Sequence, residues 1–510
     1  MTTNRAKQVS VVMIITVISK VLGFLRDIVL ARYFGAGAVT DAYFVAQTIP
    51  ESLFSLVVQA ISIGFIPIYT QLLHNNGKKQ ANRFVDSILK LSLILCVILV
   101  TFVNLFPRAI ITIFASGFDS ETTDYSITFV RISVFAMFFR ITVAIYTAFL
   151  QSNEKFTIPA FNGVILDLVS ILTIIIAFYT KSIFLVWGII GASFIQFIAL
   201  FPSVRKLKPI MNFSLNNIYN DEVKQMLVLF IPVAIGVGAN QLNVIADRTM
   251  SSSIQGAISS LNYANKVDNV LENIIILSLA TVMFPAFSKN IAANNIEGFK
   301  HNVSKAIDVV SFTMLPCSVF AMLFSTEIIR LLFGRGAFDS TAISNSAIAM
   351  KYYSIGLLCL SYNAIFTRAF YALKRVKVVS IVSCGTLISN VAMNFLLKPL
   401  MGIGGLALAT SISNIVTTFL LVFLLVKEIK GSFVKGIITE LAKIIVASSA
   451  LIIVTYFVYK HLALHYIVSM AISVITGTIV YLIICFALNV FIMKDLTSKV
   501  ITKIQSVRRS

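Results

Sequence analysis

Long apolar runs separated by short polar segments occupy most of the chain. Most runs exceed the roughly 20 residues that a helix needs to cross about 30 Å of hydrocarbon. They lack the alternating, roughly ten-residue pattern of a membrane β-barrel. The pattern therefore predicts an all-α polytopic membrane protein with 14 transmembrane helices. The predicted helices span residues 8–33, 38–72, 84–107, 122–150, 157–179, 182–203, 223–250, 261–288, 304–332, 341–373, 377–397, 402–427, 436–459 and 466–492.

The composition favours the same class. Of the 510 residues, 58% are hydrophobic and 12% are charged, whereas a soluble domain carries about 25% charged residues. The first apolar run has no small-residue cleavage site, so it is predicted to be a helix and not a cleavable signal peptide. The scattered cysteines form no CxxC pair and predict neither a disulfide framework nor a zinc site. They are Cys96, Cys317, Cys359, Cys384 and Cys485.

Basic residues concentrate in alternate loops. Segments such as 78–83, 205–208 and 374–377 are basic, whereas the opposite segment 115–125, "ASGFDSETTDY", is acidic. The positive-inside rule then places both termini in the cytoplasm (N-in, C-in). The net charge of +20 is thus mainly a topology signal and predicts contact with anionic membrane lipids. Nucleic acid is not an expected partner, because no basic segment is interleaved with aromatics on a soluble domain.

The two halves of the chain resemble each other at an offset of about 220 residues. "FGAGAVTDAYFVAQTI" (34–49) aligns with "IQGAISSLNYANKVDN" (254–269), which places Tyr43 opposite Tyr263. Because the offset spans an even number of helices, the repeats have parallel topology, and the substrate site is expected between them. The alternative is a duplicated scaffold that transports nothing.

The repeat predicts three parts. Residues 1–208 form an N-lobe with helices 1–6, and residues 209–430 form a pseudo-symmetric C-lobe with helices 7–12. Residues 431–510 add helices 13–14 and a basic cytoplasmic tail. Rocking of one lobe against the other would give alternating access.

Several cations lie within or beside apolar runs, although an ionised side chain at the bilayer centre costs about 2.5–3.5 kcal/mol. Cations in excess of acids in a shielded cavity suit an anionic ligand, and arginine presents a fork that fits phosphate oxygens. The alternative is that Arg26–Asp41 and Arg248–Asp247 are salt bridges that hold helices together. The candidates for the anion site are Lys20, Arg26, Asp41, Arg140, Arg248 and Lys266.

A second candidate site consists of oxygen-bearing side chains in the C-lobe. Asn390 and Asn394 are four residues apart and share a helix face. With Asp247 and Thr410 they could hold a small cation, while interhelical polar packing is the alternative. No HExxH, Walker or nucleophile-elbow pattern occurs, so the sequence predicts a protein that is not an enzyme and has no organic cofactor.

Four stretches carry a resemblance to a known family: "SKVLGFLRDIVLARYFGAGAVTDAYFVAQTIP" (19–50), "GFIPIYTQ" (64–71), "NEKFTIPAFN" (153–162) and "SLNYANKVDN" (260–269). The chain resembles the MurJ (MviN) family of lipid II flippases, in the multidrug/oligosaccharidyl-lipid/polysaccharide exporter superfamily. The resemblance implies a bacterial cytoplasmic-membrane protein that moves lipid-linked peptidoglycan precursor to the outer leaflet. It also implies a cationic cavity, a lipid-linked anionic glycan as substrate and cell-wall synthesis machinery as partner. The driving force would be Na+, H+ or the membrane potential.

The resemblance also assigns residues. Arg26 and Asp41 match functional positions of the family, Lys20 stands where many members have arginine, and Lys266 stands at a basic position. The family's sodium site would fall on the four residues of the second candidate site, Asp247, Asn390, Asn394 and Thr410.

The chain departs from the family pattern at four positions. Phe54 and Ser55 stand where many members have an arginine pair, and Gln59 and Asn265 stand at positions of family acids. The substrate could therefore be another polyprenyl-linked oligosaccharide. A cation-coupled multidrug exporter is disfavoured, because it would need an acid-rich cavity.

Overall fold

The computed structural model describes residues 2–207, 220–429, 434–494 and 497. Within these ranges the chain forms 18 α-helices and one π-helical segment, and no β-strand occurs in them. The helices are α1 (Thr2–Phe34), α2 (Ala38–Ala60), α3 (Ile66–Asn75), α4 (Lys78–Leu105), α5 (Pro107–Ala115), α6 (Ser120–Ser133), α7 (Ala136–Ser152), α8 (Thr157–Tyr179), α9 (Phe184–Lys206), α10 (Asp221–Ser251), α11 (Ala257–Ala292), α12 (Ile296–Leu323), α13 (Ser325–Phe333), α14 (Ser340–Ala372), α15 (Val376–Met401), α16 (Ile403–Glu428), α17 (Val434–His461) and α18 (Tyr466–Ala487).

The all-helical class and the membrane-spanning character are confirmed. Eight helices of the described chain are long and apolar enough to cross a membrane, and nine are when α6 and α7, joined at a 45° bend, are counted as one span. Two predicted helices have a different form. The run 38–72 contains a π-helical segment, Ile61–Phe65, between α2 and α3, and the run 122–150 is bent between α6 and α7.

Two short helices differ from the sequence prediction: α5 lies beyond the predicted helix 84–107, and α13 is a separate helix at the end of the predicted helix 304–332. Both α5 and α13 have nine residues, and each follows a 28-residue helix, α4 and α12 respectively. Pro107 begins α5 directly after the break at Phe106, since proline is tolerated in the first turn but not further inside a helix. Both short helices mix apolar and polar residues, PRAIITIFA in α5 and STEIIRLLF in α13, and each directly follows a long apolar helix. The sequence pattern therefore does not separate them from the preceding run.

One compact unit comprises residues 1–259 with 333–342. In it, α1 packs on α8, α8 on α9, α7 on α9, and α2 on both α6 and α10. Glycines allow the close approach of α1 and α8. A methyl group at Gly163 of α8 would overlap Ser19 Oγ, and one at Gly23 of α1 would lie 3.3 Å from Asp167 Oδ2. Because both contact positions advance together along the two helices, α1 and α8 run in the same direction.

The segment 333–342 is held in this unit by backbone contacts at the end of α1. The Ala337 amide donates to the Arg32 carbonyl at 2.8 Å. Gly35 and Gly336 both have positive φ, +64° and +66°, and a Cβ on either would overlap a backbone oxygen of the other segment. Glycine is required at both positions because it alone combines this conformation with so close an approach.

The second unit comprises residues 260–332 and 343–510. Its core joins aromatic side chains of α11, α12 and α14, among them Phe287, Phe299 and Phe366. A smaller apolar cluster joins α17 to α18, and there the Tyr481 hydroxyl donates to the Phe312 carbonyl of α12 at 2.8 Å. Although the sequence assigns α10 to the C-lobe, α10 packs on α2 and α5 of the first unit. The division into lobes 1–208 and 209–430 stays a prediction.

Candidate functional site

Arg26 of α1 lies between two carboxylates. Its Nη1 donates to Asp167 Oδ1 of α8 at 3.1 Å, and its Nε and Nη2 donate to Asp27 Oδ1 at 3.2 and 3.0 Å. The side chains of Arg26, Asp27 and Asp167 are 13%, 3% and 9% exposed. The close approach of α8 at Gly23, one turn before Asp27, brings the Asp167 carboxylate to this position. Charge-assisted bonds of this kind fix the orientation of the guanidinium.

This arrangement corrects the interpretation of Arg26 as a cation without matching acid. Two carboxylates face one guanidinium, so Arg26 is matched by acids of α1 and α8. The alternative pairing of Arg26 with Asp41 is also wrong, because Arg26 pairs with Asp27 and Asp167. The only sequence signal for Asp167 is an isolated acid in an apolar run, and it does not reveal its partner.

Asp41 caps the start of α11. Its carboxylate, 1% exposed, accepts hydrogen bonds from the Gly256 amide at 2.7 Å, the Ser259 amide at 2.8 Å and the Ser259 hydroxyl at 2.6 Å. Arg248 acts electrostatically on this carboxylate, and its Nη1 donates to the Ile258 carbonyl at 3.4 Å. The helix N-terminus favours an anion, so Asp41 fixes the junction between α10 and α11. Its predicted contact with substrate stays a prediction.

Arg140 of α7 reaches both α2 and α9. Its Nη1 donates to Glu51 Oε1 at 3.1 Å and its Nε to Ser193 Oγ at 3.4 Å. Gln47 also donates to Glu51, at 3.2 Å. Glu51 lies one turn before Ser55 on α2, so the pairing places the Arg140 guanidinium beside the helix that lacks the arginine pair. The sequence identified Arg140 but missed Glu51.

Two further candidate cations lie on separate units. Lys20 is exposed on α1 in the first unit, and Lys266 is half-buried on α11 in the second. The assignment of both lysines to an anion site stays a prediction.

Three of the four candidate cation ligands come together in the second unit. Asn394 Nδ2 of α15 donates to Asn390 Oδ1 at 2.7 Å, and Asn390 Nδ2 donates to Thr410 Oγ1 of α16 at 3.4 Å. The two asparagines are 1% and 0% exposed. Neutral amide and hydroxyl oxygens are hard ligands that suit a small cation. Asp247 belongs to the first unit. No cluster of histidine, cysteine or acidic side chains suited to a metal ion occurs in the described chain.

Comparisons with known proteins agree with one another. The family model of the lipid II flippase MurJ matches residues 30–496. A relative from Buchnera aphidicola subsp. Baizongia pistaciae, described as a probable lipid II flippase MurJ, is 30% identical over 82% of this chain and 83% of its own length. A MurJ structure in an inward closed conformation has a TM-score of 0.82, with 24% identity over 95% of this chain and 99% of its own.

A more distant structural likeness extends to the wider superfamily. An inward-facing multidrug resistance MATE family transporter of the MOP superfamily has a TM-score of 0.67, with 14% identity over 81% of this chain and 94% of its own. The family match over most of the chain establishes the family, and the long apolar helices agree with a membrane protein. The protein belongs to the lipid II flippase MurJ family and is a multi-pass protein of the bacterial inner membrane.

Proposed function

We propose that the protein moves lipid II, the undecaprenyl-diphosphate-linked peptidoglycan precursor, from the inner to the outer leaflet of the cytoplasmic membrane for cell-wall synthesis. The family match over residues 30–496 is the observation that carries this proposal. The protein acts by alternating access as a transporter and catalyses no chemical reaction. Enzymes that consume the outward-facing precursor are the expected partners.

The proposed topology has 14 crossings with both ends in the cytoplasm. Each of α1, α4, α8–α12 and α14–α18 forms one crossing, and α2 with α3 and α6 with α7 form one each. The short helices α5 and α13 follow the third and the ninth crossing and lie at the outer face. The concentration of basic residues in the loops on one side supports this orientation.

Arg26 is proposed to bind the diphosphate. A guanidinium has five N–H groups, and the hydrogen bonds to Asp27 and Asp167 use three of them. The remaining two can donate to phosphate oxygens while both carboxylates hold the fork in place. Lys20 on the same helix supplies further positive charge, and Arg140, beside α2, takes the place of the missing arginine pair. Lys266, in the second unit, stays a separate candidate for binding the anion.

Translocation is proposed to depend on a cation gradient or on the membrane potential. A sodium ion would be held in the second unit by Asn390, Asn394 and Thr410. Asp247, which belongs to the first unit, stays a candidate ligand from the sequence. The amide and hydroxyl ligands are neutral, so a bound ion would add a positive charge to this site. The amide pair on α15 and the hydroxyl on α16 already lie within one hydrogen-bonded group, which supports this assignment.

The experiment is complementation combined with a compensating variant. A bacterium depleted of its lipid II flippase expresses the wild type, Arg26→Ala or the double variant Arg26→Ala/Asp167→Asn. Survival, membrane protein level and labelling of outward-facing lipid II are measured. Removing one partner of a buried ion pair costs about 3–5 kcal/mol, so Arg26→Ala alone is expected to lower stability as well as transport. The double variant also replaces Asp167 by asparagine, so one of the two carboxylates that lose Arg26 as a partner is neutralised.

We expect rescue by the wild type and by Lys20→Arg, which keeps its charge. The double variant should regain protein level but not transport. Transport by the double variant would show that Arg26 only stabilises the fold. Wild-type protein that reaches the membrane without moving lipid II would overturn the proposal and indicate another lipid-linked oligosaccharide.

A further inference from the structure

Helix α11 carries a polar face within its apolar sequence. At about 100° per residue, its polar side chains cover an arc of about 160° bounded by Asp268 on one edge and Lys266 on the other. The Asn269 amide donates to Asn265 Oδ1, and the Asn273 amide donates to the Asn269 carbonyl at 2.6 Å. The polar face consists of Asn265, Lys266, Asp268, Asn269, Glu272 and Asn273.

Asp268 differs from the other residues of this face by its burial. The residue is 3% exposed, and neither carboxyl oxygen has a hydrogen-bond partner among the described residues. The Ser354 hydroxyl of α14 lies beside the carboxyl. The Ser354 hydroxyl donates to the Met350 carbonyl at 2.7 Å, so its oxygen can accept a hydrogen bond from a protonated Asp268.

Asp268 has no charge partner among the described residues. No lysine, arginine or second acid in them acts on the carboxyl, and Ser354 is the polar group that faces it from α14. On α11 itself, Lys266 lies at the opposite edge of the polar face, and Glu272 is the ionisable group one turn further along. An isolated carboxylate buried without a partner is strongly disfavoured and takes up a proton instead.

We propose that Asp268 is a proton-binding site that couples lipid transport to the proton gradient. In the conformation described here, the carboxyl carries a proton and can donate it to Ser354 Oγ. When movement of α11 brings the polar face into contact with water, the O–H bond breaks, the proton passes to water and the carboxylate remains. The same helix carries Lys266, so release of the proton places a negative charge on the helix that presents a cation to the diphosphate.

The neighbourhood of Asp268 favours a proton over a sodium ion. A bound metal cation requires several oxygen ligands around it, whereas Ser354 is the polar side chain beside the carboxyl. A proton requires one acceptor. This inference rests on the proposed transport function, but occupancy of the carboxyl can be measured without transport.

The first arm of the test is infrared spectroscopy of the full chain in lipid vesicles at neutral pH. The wild type is expected to show the carbonyl stretching band of a protonated carboxylic acid, shifted in deuterated water. Asp268→Asn should lose this band, whereas Glu272→Gln, one turn away, should keep it. Asp268→Glu should retain a shifted band and controls for folding. A wild type without the band, or an identical band in Asp268→Asn, would overturn the proposal.

The second arm measures lipid II movement in vesicles of phosphatidylethanolamine and phosphatidylglycerol under an imposed pH or sodium gradient. Asp268→Asn should bind lipid II but lose all stimulation by the pH gradient, and Glu272→Gln should keep it. Equal stimulation of Asp268→Asn and wild type would overturn the proposal. A sodium stimulation that Asp268→Asn abolishes would overturn the assignment of a proton. Failure of the wild type to move lipid II would contradict the transport function alone, since the infrared arm still decides the state of Asp268.

Discussion

The order of helices from α1 to α9, the first copy, recurs from α10 to α16, the second copy, but the two copies differ in continuity. Helices α4 and α12 both have 28 residues, and α5 and α13 both have nine. However, the continuous α11 and α14 of the second copy correspond to helices that are interrupted in the first. The first copy has a π-helical segment after α2 and a 45° bend between α6 and α7. Equal element lengths therefore do not impose equal helix geometry.

The two copies also differ in polar chemistry. The first copy contains compensated charges, in which Arg26 pairs with Asp167 and Arg140 pairs with Glu51. The second copy contains the neutral pair Asn390 and Asn394 and the uncompensated Asp268. A compensated charge holds a guanidinium in place, whereas neutral oxygens and an isolated carboxyl suit reversible binding of a cation. Under the proposals above, substrate binding would fall mainly in the first copy and ion binding in the second.

The largest expected effect comes from replacing a glycine by alanine where two helices pack closely together. A methyl group at Gly356 of α14 would lie 2.7 Å from Ser411 Cα of α16, whereas one at Gly191 of α9 would have no atom within 4 Å. Gly356→Ala should therefore destabilise the purified chain by about 1–3 kcal/mol through overpacking. Gly191→Ala should be neutral or should stabilise its helix by up to about 1 kcal/mol.

Thermal unfolding of both variants in one detergent measures this difference. The two substitutions are chemically identical and both lie in long helices, so each controls for the other. Equal melting temperatures would mean that α14 and α16 can move apart without loss of stability. Close helix packing at Gly356 would then not distinguish it from Gly191, where a methyl group has free space.

The sequence predicts features that depend on neighbouring residues and misses those that depend on which helices pack together. Run length and charge identified the apolar helices and the buried Arg26. The partner Asp167 lies 141 positions away from Arg26, and its pairing depends on the approach of α8 to α1. The π-helical segment and the nine-residue helices lie inside or beside longer apolar runs. Run length alone therefore does not reveal where one helix ends and the next begins.

An intermediate effect is expected from sodium binding in the second copy. If Asn390, Asn394 and Thr410 hold the ion, sodium at ten times its dissociation constant should stabilise the protein by about 1.4 kcal/mol. Thr410→Val removes one oxygen and should abolish this gain. Ser170→Ala, at the position of the first copy that corresponds to Asn390, removes a hydroxyl that bonds to the Leu166 carbonyl and should preserve it.

The measurement is the melting temperature in sodium chloride against choline chloride at equal ionic strength. The salts differ only in their cation, so a general effect of ionic strength cancels. A sodium effect that survives Thr410→Val and disappears in Ser170→Ala would reverse the assignment of ion binding to the second copy.

The smallest expected effect tests a feature that both copies keep. Asp119 accepts a hydrogen bond from the Thr122 amide at the start of α6, at 2.8 Å, and Asp339 accepts one from the Ala342 amide at the start of α14, at 2.7 Å. Replacing either by alanine should cost about 1 kcal/mol or less, since both are helix N-caps, and Asp→Ser should restore most of it.

Hydrogen bonding to Thr122 lowers the pKa of Asp119. Its stabilisation is therefore complete above the unfolded pKa of about 4 and is lost as the pH falls through the lower folded value. Thermal unfolding of wild type and Asp119→Ala should converge at acidic pH. A gap that stays constant there would show that Asp119 stabilises α6 without its charge.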